Sequence, residues 1–455
     1  MRSRLMLLFA LVTIMALGAP AGAGWVDQGS VDSAEPRIQA TGSGSSVIID
    51  LEVPGYHMAS RDIDGQDHTQ LALPGHVWHM EPGQPELPYI SWSVAIADQG
   101  TPSIRVIDSE WVDVDVSPVV PSRGHLSRDV NPESIPYRHG SFYSTGGVYP
   151  DLTTDLSEPF IVRDVRGVTV RVNAFRYDAD RGVLTVLKSM SLEVATTGSG
   201  GINAKTRPVN GIDPQFGRLY NGLFANYGAD KYAAIDVNGP MLIVTDDAFM
   251  SAVVPFVEWK QQKGQPVEMI TISSVGGTAA GIQGAINTRY VTPAGLTYVV
   301  LVGDIAQIPT YSGTYHGADD DTRYGMVDGS DLYPDLFISR FSAQNIQQVS
   351  DQVEKFIRYE RDPDLGAAAE WYHKGTGLAS NEGSPTDYER AEWLRQDLLG
   401  YTFTFVDEIY QPTGTTAHIT TALNEGRSLV NYIGHGSWTS WCNPYFVTSA
   451  IHPSA

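Results

Sequence analysis

The segment Asn431-Tyr432-Ile433-Gly434-His435-Gly436-Ser437 sets a histidine between two glycines directly after an apolar run. An imidazole titrates near neutral pH and can both take and return a proton, which suits it to general acid/base work. The flanking glycines allow a tight backbone and a close approach of substrate. A histidine in an ordinary turn meets the same description, so the motif alone leaves both readings open. Seven residues further on stands Cys442, the one cysteine of the chain, so no intrachain disulfide forms. A parallel strand needs a crossover of a dozen or more residues. Cys442 is too close to His435 for that and reads as a loop or packing thiol. Two carboxylates stand near another apolar run: Glu382 in Leu378-Ala379-Ser380-Asn381-Glu382-Gly383, and Asp387 at the start of a helical stretch, where it is also an N-cap candidate.

Other polar clusters carry weaker chemistry. Asp304 and Asp319-Asp320-Asp321 are oxygen donors that either hold calcium or form an acidic surface loop. Asp62-Ile63-Asp64-Gly65-Gln66-Asp67 places its glycine too early for an EF-hand and reads as a turn. His76-Val77-Trp78-His79 lacks both the spacing and the neighbours of a zinc site. No glycine-rich phosphate or dinucleotide pattern opens a helix, so no organic cofactor is expected.

The elements that must position these residues fall into two rhythms. Up to about residue 195 the chain alternates, as in Ser46-Val47-Ile48-Ile49-Asp50-Leu51-Glu52-Val53, and turn-formers separate the runs, which predicts an all-β region. Residues 196–238 begin with small, polar, glycine-rich sequence and read as a linker that proteases reach, with Lys205, Arg207, Arg218 and Lys231 as basic targets. From 239 onward apolar strands alternate with helical spacing, with strands near 241–245, 267–272, 297–302, 335–339, 375–380, 403–409 and 429–433. That pattern predicts an α/β region with a parallel sheet covered by helices on both faces, and ligands at the carboxyl ends of its strands.

The first 23 residues read as a secretory signal: Arg2 and Arg4, an apolar run from Leu5 to Leu17, then Ala21-Gly22-Ala23 before an expected cleavage. That run is too short to span a bilayer and no later stretch is longer, so no membrane span is expected and the protein is expected to be extracellular or at the cell surface. With 30 basic against 52 acidic residues the net charge is −22, which repels phosphate backbones and argues against a nucleic-acid partner. The chain has 455 residues with 42% hydrophobic composition, enough for two or three domains with cores of their own.

Several ordered blocks together resemble gingipain-type cysteine peptidases: Leu301-Val302-Gly303-Asp304 with Ile308-Pro309, Tyr324-Gly325, Phe337-Ile338-Ser339-Arg340-Phe341-Ser342, Tyr359-Glu360-Arg361, and Asn431 to Ser437 with Trp441. The region 24–195 is similar to that family's propeptide, most visibly at Pro82-Gly83-Gln84-Pro85-Glu86-Leu87-Pro88. The resemblance implies a caspase-like α/β fold over 239–455, secretion as a zymogen, a Cys-His pair and hydrolysis of protein or peptide substrates. It implies His435 as base and acid, Glu382 as the carboxylate that orients it, and Gly436 as an N–H donor to the oxyanion. Asp387 lies close to where arginine-preferring members carry the acid of their specificity pocket, which implies cleavage after basic residues. The family's nucleophile follows the next strand after the histidine, a few tens of residues on, and is expected beyond Ala455. Two rival readings remain: a secretion-system sorting peptidase or transpeptidase, or a non-catalytic binding module if the gene ends at Ala455.

Overall fold

The computed structural model describes residues 23–29, 34–127, 130–207, 209, 211–228, 238–292, 295–314, 317–383, 385–437 and 439–451. All but the last residue of the expected signal lies outside them. Two compact units emerge: residues 1–79, 84–122 and 139–358, and residues 80–83, 123–138 and 359–455.

In the first unit the alternating segments form antiparallel sheets. Ser46–Glu52 pairs with Arg37–Ser43 and with the long strand Val183–Thr197, which also pairs with Thr101–Asp115. A second sheet joins Val165–Val172 to Pro88–Ala95. Val47, Ile49 and Leu51 of one sheet and Val168, Val170 and Val172 of the other are at most 1% exposed and share one cluster. Period-two burial of this kind makes a sandwich, because each sheet hides one face against the other.

The glycine-rich stretch after Thr197 is not the open connector that its composition predicts. Arg166 donates to the Gly100 and Ile202 carbonyls, and Lys205 is buried with its N–H on Asp98 O. The helix Pro214–Leu223, capped by Asp213, then lays Phe216 and Tyr220 on Phe160, Val162 and Val165. Apolar residues at helical spacing, together with a buried arginine that needs carbonyl acceptors, hold residues 200–205 and 212–227 to the β region.

The same unit contains a parallel sheet in the order Val267–Thr271, Met241–Thr245, Tyr298–Val302, Phe337–Phe341. Leu242, Val244, Val299 and Leu301 face Ile282 and Ile286 of the helix Ala279–Tyr290. Met241, Ile243, Val300 and Val302 face Val253 and Phe256 of the helix Met250–Gln262 and Val349 and Val353 of the helix Ile346–Arg361. Burial on both faces explains why these strands read as continuous apolar runs. The sheet does not continue into the later strands as one sheet over 239–455 would. Phe337–Phe341 is an edge strand whose first residue is 36% exposed.

In the second unit Lys374–Ala379 lies between Phe405–Tyr410 and Leu429–Ile433, all parallel. Its own core gathers Leu378, Ile409, Ile419, Ala422 and Phe446. Among the described residues no helix is long and apolar enough to cross a membrane.

Candidate active site

The site grows out of the strand register in the second unit. Ala379 pairs with Ile433, and Ser380 N donates to Ile433 O, so these neighbouring parallel strands end side by side. The three residues after Ala379 and the two after Ile433 therefore emerge at the same sheet end, where open α/β sheets place ligands. His435 Nε2 stands 3.0 Å from Glu382 Oε2 across that end. The imidazole is 48% exposed and open to substrate, whereas Glu382 Oε2 is buried and accepts no hydrogen bond among the described residues. A carboxylate oxygen this close to an imidazole is placed to orient the ring.

Each partner has a support that sequence reading missed. Tyr432 Oη donates to His435 O at 2.5 Å, accepts from Cys442 N at 3.2 Å, and its ring stacks on Trp441 with centroids 4.8 Å apart. Cys442 N also donates to His435 O at 2.8 Å. Residues 440–441 and 446–447 form an antiparallel hairpin, so Cys442 sits in a return loop beside the histidine and half-buried. Behind Glu382, Ser380 Oγ donates to Asp387 Oδ2 at 2.6 Å and accepts from Glu382 N at 3.2 Å, while Asp387 N donates to Glu382 O at 2.8 Å. No pattern in the sequence marks Tyr432 or Ser380, because each acts through a loop that only the fold closes.

Asp387 is wholly buried as the first residue of the helix Asp387–Tyr401. It is not the N-cap. Thr386 takes that place in a capping box with Glu389, because its side chain reaches Glu389 N and Glu389 reaches back. Gly436 pairs with Trp441, and the bonds on either side run Ser437 N to Ser440 O and Cys442 N to His435 O. That pattern makes Gly436 a non-hydrogen-bonded position whose N–H points away from the return strand. Such a donor is available to an oxyanion.

Two of the acidic residues considered for calcium, Asp304 and Asp321, have protein partners. Asp321 holds Arg340 through two contacts of 2.7 Å, and Asp304 accepts from Ile305 N and Gln344 Nε2. These hydrogen bonds, with Gln344 foremost for Asp304, hold the Asp304 carboxyl below its usual range; Arg340 does the same for Asp321 against the opposing effect of burial. Among the described residues no group of three or more His, Cys, Asp or Glu converges as a metal site.

A parallel sheet end that joins an imidazole to a carboxylate, preceded by a β region with its own core, defines a two-part chain with an α/β region that carries the candidate site. The sequence matches Peptidase family C25 over residues 235–453 and Propeptide_C25 over residues 31–227. Gingipain R2 of Porphyromonas gingivalis is 31% identical over 382 residues, covering 82% of this chain and 51% of the relative. Lys-gingipain W83 of Porphyromonas gingivalis is 26% identical over 414 residues, covering 85% of this chain and 23% of the relative. Among solved structures, the crystal structure of the Arg specific cysteine proteinase gingipain R is similar at 32% identity, covering 47% of this chain and 51% of that one, with a TM-score of 0.44. The chain belongs to the gingipain-type cysteine peptidases of family C25 and carries the family's propeptide. It spans about half the length of Gingipain R2.

Proposed function

We propose that this chain carries the pro-region and the histidine-bearing part of a secreted cysteine endopeptidase made as a zymogen. The single observation that carries the reading is the 3.0 Å approach of His435 Nε2 to Glu382 Oε2 at the ends of two adjacent parallel strands. In this mechanism His435 takes the proton of a cysteine thiol, and the thiolate attacks the scissile carbonyl. The imidazolium is stabilised by Glu382, and Gly436 N–H meets the oxygen that becomes negative. His435 then returns its proton to the leaving amine, and the acyl-enzyme is hydrolysed by water. The return-loop position of Cys442 supports reading the nucleophile as a cysteine other than Cys442.

Parallel sheets with helices on their faces support the caspase-like fold. A relative named Lys-gingipain supports a preference for basic residues. The experiment is peptide cleavage by the full gene product with Arg- and Lys-terminated fluorogenic substrates. His435→Ala should abolish cleavage, and Glu382→Gln should lower kcat by about 10²-fold with KM little changed. Cleavage by His435→Ala at the parent rate would overturn the assignment.

A further inference from the structure

His68 and His139 are 71 positions apart in the chain, yet their Nε2 atoms face each other at 2.9 Å. His68 lies on the strand Gln66–Ala72 and is 1% exposed, whereas His139 is exposed at the surface. His68 Nδ1 lies 2.9 Å from Gln66 O, and a carbonyl can only accept, so the ring carries its proton on Nδ1. The bare nitrogen of His68 is therefore the Nε2 that faces His139. This is the arrangement of a metal-ligating histidine, whose far N–H is fixed by a backbone carbonyl. The second ring is also held, edge-on against Tyr143 with centroids 4.7 Å apart. Tyr143 is itself anchored by its hydroxyl on Val119 O.

We propose that His68 and His139 form a two-imidazole site in the pro-region that binds a borderline divalent cation such as Zn²⁺, with water completing the coordination. Tetrahedral zinc with bonds of 2.0–2.1 Å spaces two nitrogens about 3.3 Å apart, so an opening of about 0.4 Å at the surface ring admits the ion. The ion takes the place of the proton now shared by the two rings, which moves to His139 Nδ1, so each ring binds as a neutral ligand. Among the described residues no third His, Cys, Asp or Glu joins the pair, so the other positions fall to water. Imidazole suits zinc, copper and nickel, whereas calcium prefers oxygen donors. Binding would fasten the chain at His139, where it rejoins the first unit after residues 123–138, to the sheet that carries His68.

The test is isothermal titration of the chain with Zn²⁺ at pH 7.5, with Ca²⁺ in parallel and thermal unfolding as a second readout. The expected result is a saturable Zn²⁺ step of one ion per chain and a rise in Tm that Ca²⁺ does not reproduce. His139→Ala, a surface change that the fold tolerates, should remove the step and the Tm shift, and His68→Ala should do the same. His125→Ala, a change outside the pair, should keep both. If His139→Ala binds Zn²⁺ with the same stoichiometry and affinity, the ion is held by the acidic surface and the proposal fails. Absence of any saturable step in the parent chain also overturns it.

Discussion

Asp335 offers a test of the first unit that needs no catalysis. Its side chain has no exposure, and its oxygens accept from Arg163 N at 2.7 Å, Val327 N at 2.8 Å and Asp328 N at 2.7 Å. Burial is the leading cause that pushes this carboxyl up to about 7, against the backbone donors that favour its charged form. The unfolded chain ionises near the ordinary value of 3.8. Between about pH 4 and pH 7 the native state therefore holds a proton that the unfolded state has lost, and stability falls as pH rises. A shift of roughly three units at 1.36 kcal/mol each makes the loss about 4 kcal/mol across that window. Asp335→Asn cannot ionise, so it lacks this slope, but its amide NH₂ must face at least one backbone N–H and costs about 1–3 kcal/mol. The variant should be less stable than the parent at pH 4.5 and more stable at pH 8. Paired urea unfolding curves at the two pH values measure this, and comparing parent with variant cancels the other carboxylates. A stability difference that is the same at both pH values would refute the reasoning.

Three further outcomes follow from the contacts. Ser380→Ala removes the donor to Asp387, a buried bond, and the acceptor of Glu382 N, a half-buried one, and should lower stability by about 1–3 kcal/mol in urea unfolding; an unchanged midpoint would mean that the loop does not depend on this hydroxyl. A side chain at Gly434 meets Tyr432 Oη and its Cζ at 2.6 Å, and Asn443 O at 3.0 Å, whereas at Gly436 the nearest neighbour is Ser440 O at 3.6 Å. Gly434→Ala should thus broaden or shift the His435 ring signals in NMR spectra, while Gly436→Ala leaves them in place; equal effects would contradict the packing. Lys205 is buried with its ammonium on Arg207 O, so brief trypsin treatment of the folded chain followed by mass spectrometry should yield no cut after Lys205, as a flexible linker would.

Much of the architecture was legible because burial imposes a period. Leu429–Ile433 coincides with its predicted range, and the strands at 241–245 and 298–302 were visible as unbroken apolar runs whose neighbours cover both faces. The strand expected at 335–339 lies instead at Phe337–Phe341. Asp335 is drawn out of it by the backbone donors of Val327 and Asp328, a long-range demand that local pattern does not carry. The stretch 196–207 was misread for a similar reason. Glycines and polar residues look flexible in isolation, yet Gly201 at φ 95° and the carbonyls around it are what Arg166 needs.

By itself the sequence determined the order of a β region and an α/β region, an acidic surface, and a histidine held between glycines at a strand end. It also determined the family, through ordered blocks that no single motif would establish. The family resemblance pointed to Glu382, but only the tertiary structure brings it beside His435, because that depends on Ala379 and Ile433 ending in register, a pairing between segments more than fifty residues apart. It also decided that the parallel strands belong to two sheets, and that His68 faces His139. Local sequence sets which faces are apolar, whereas contacts between distant residues depend on which faces find each other.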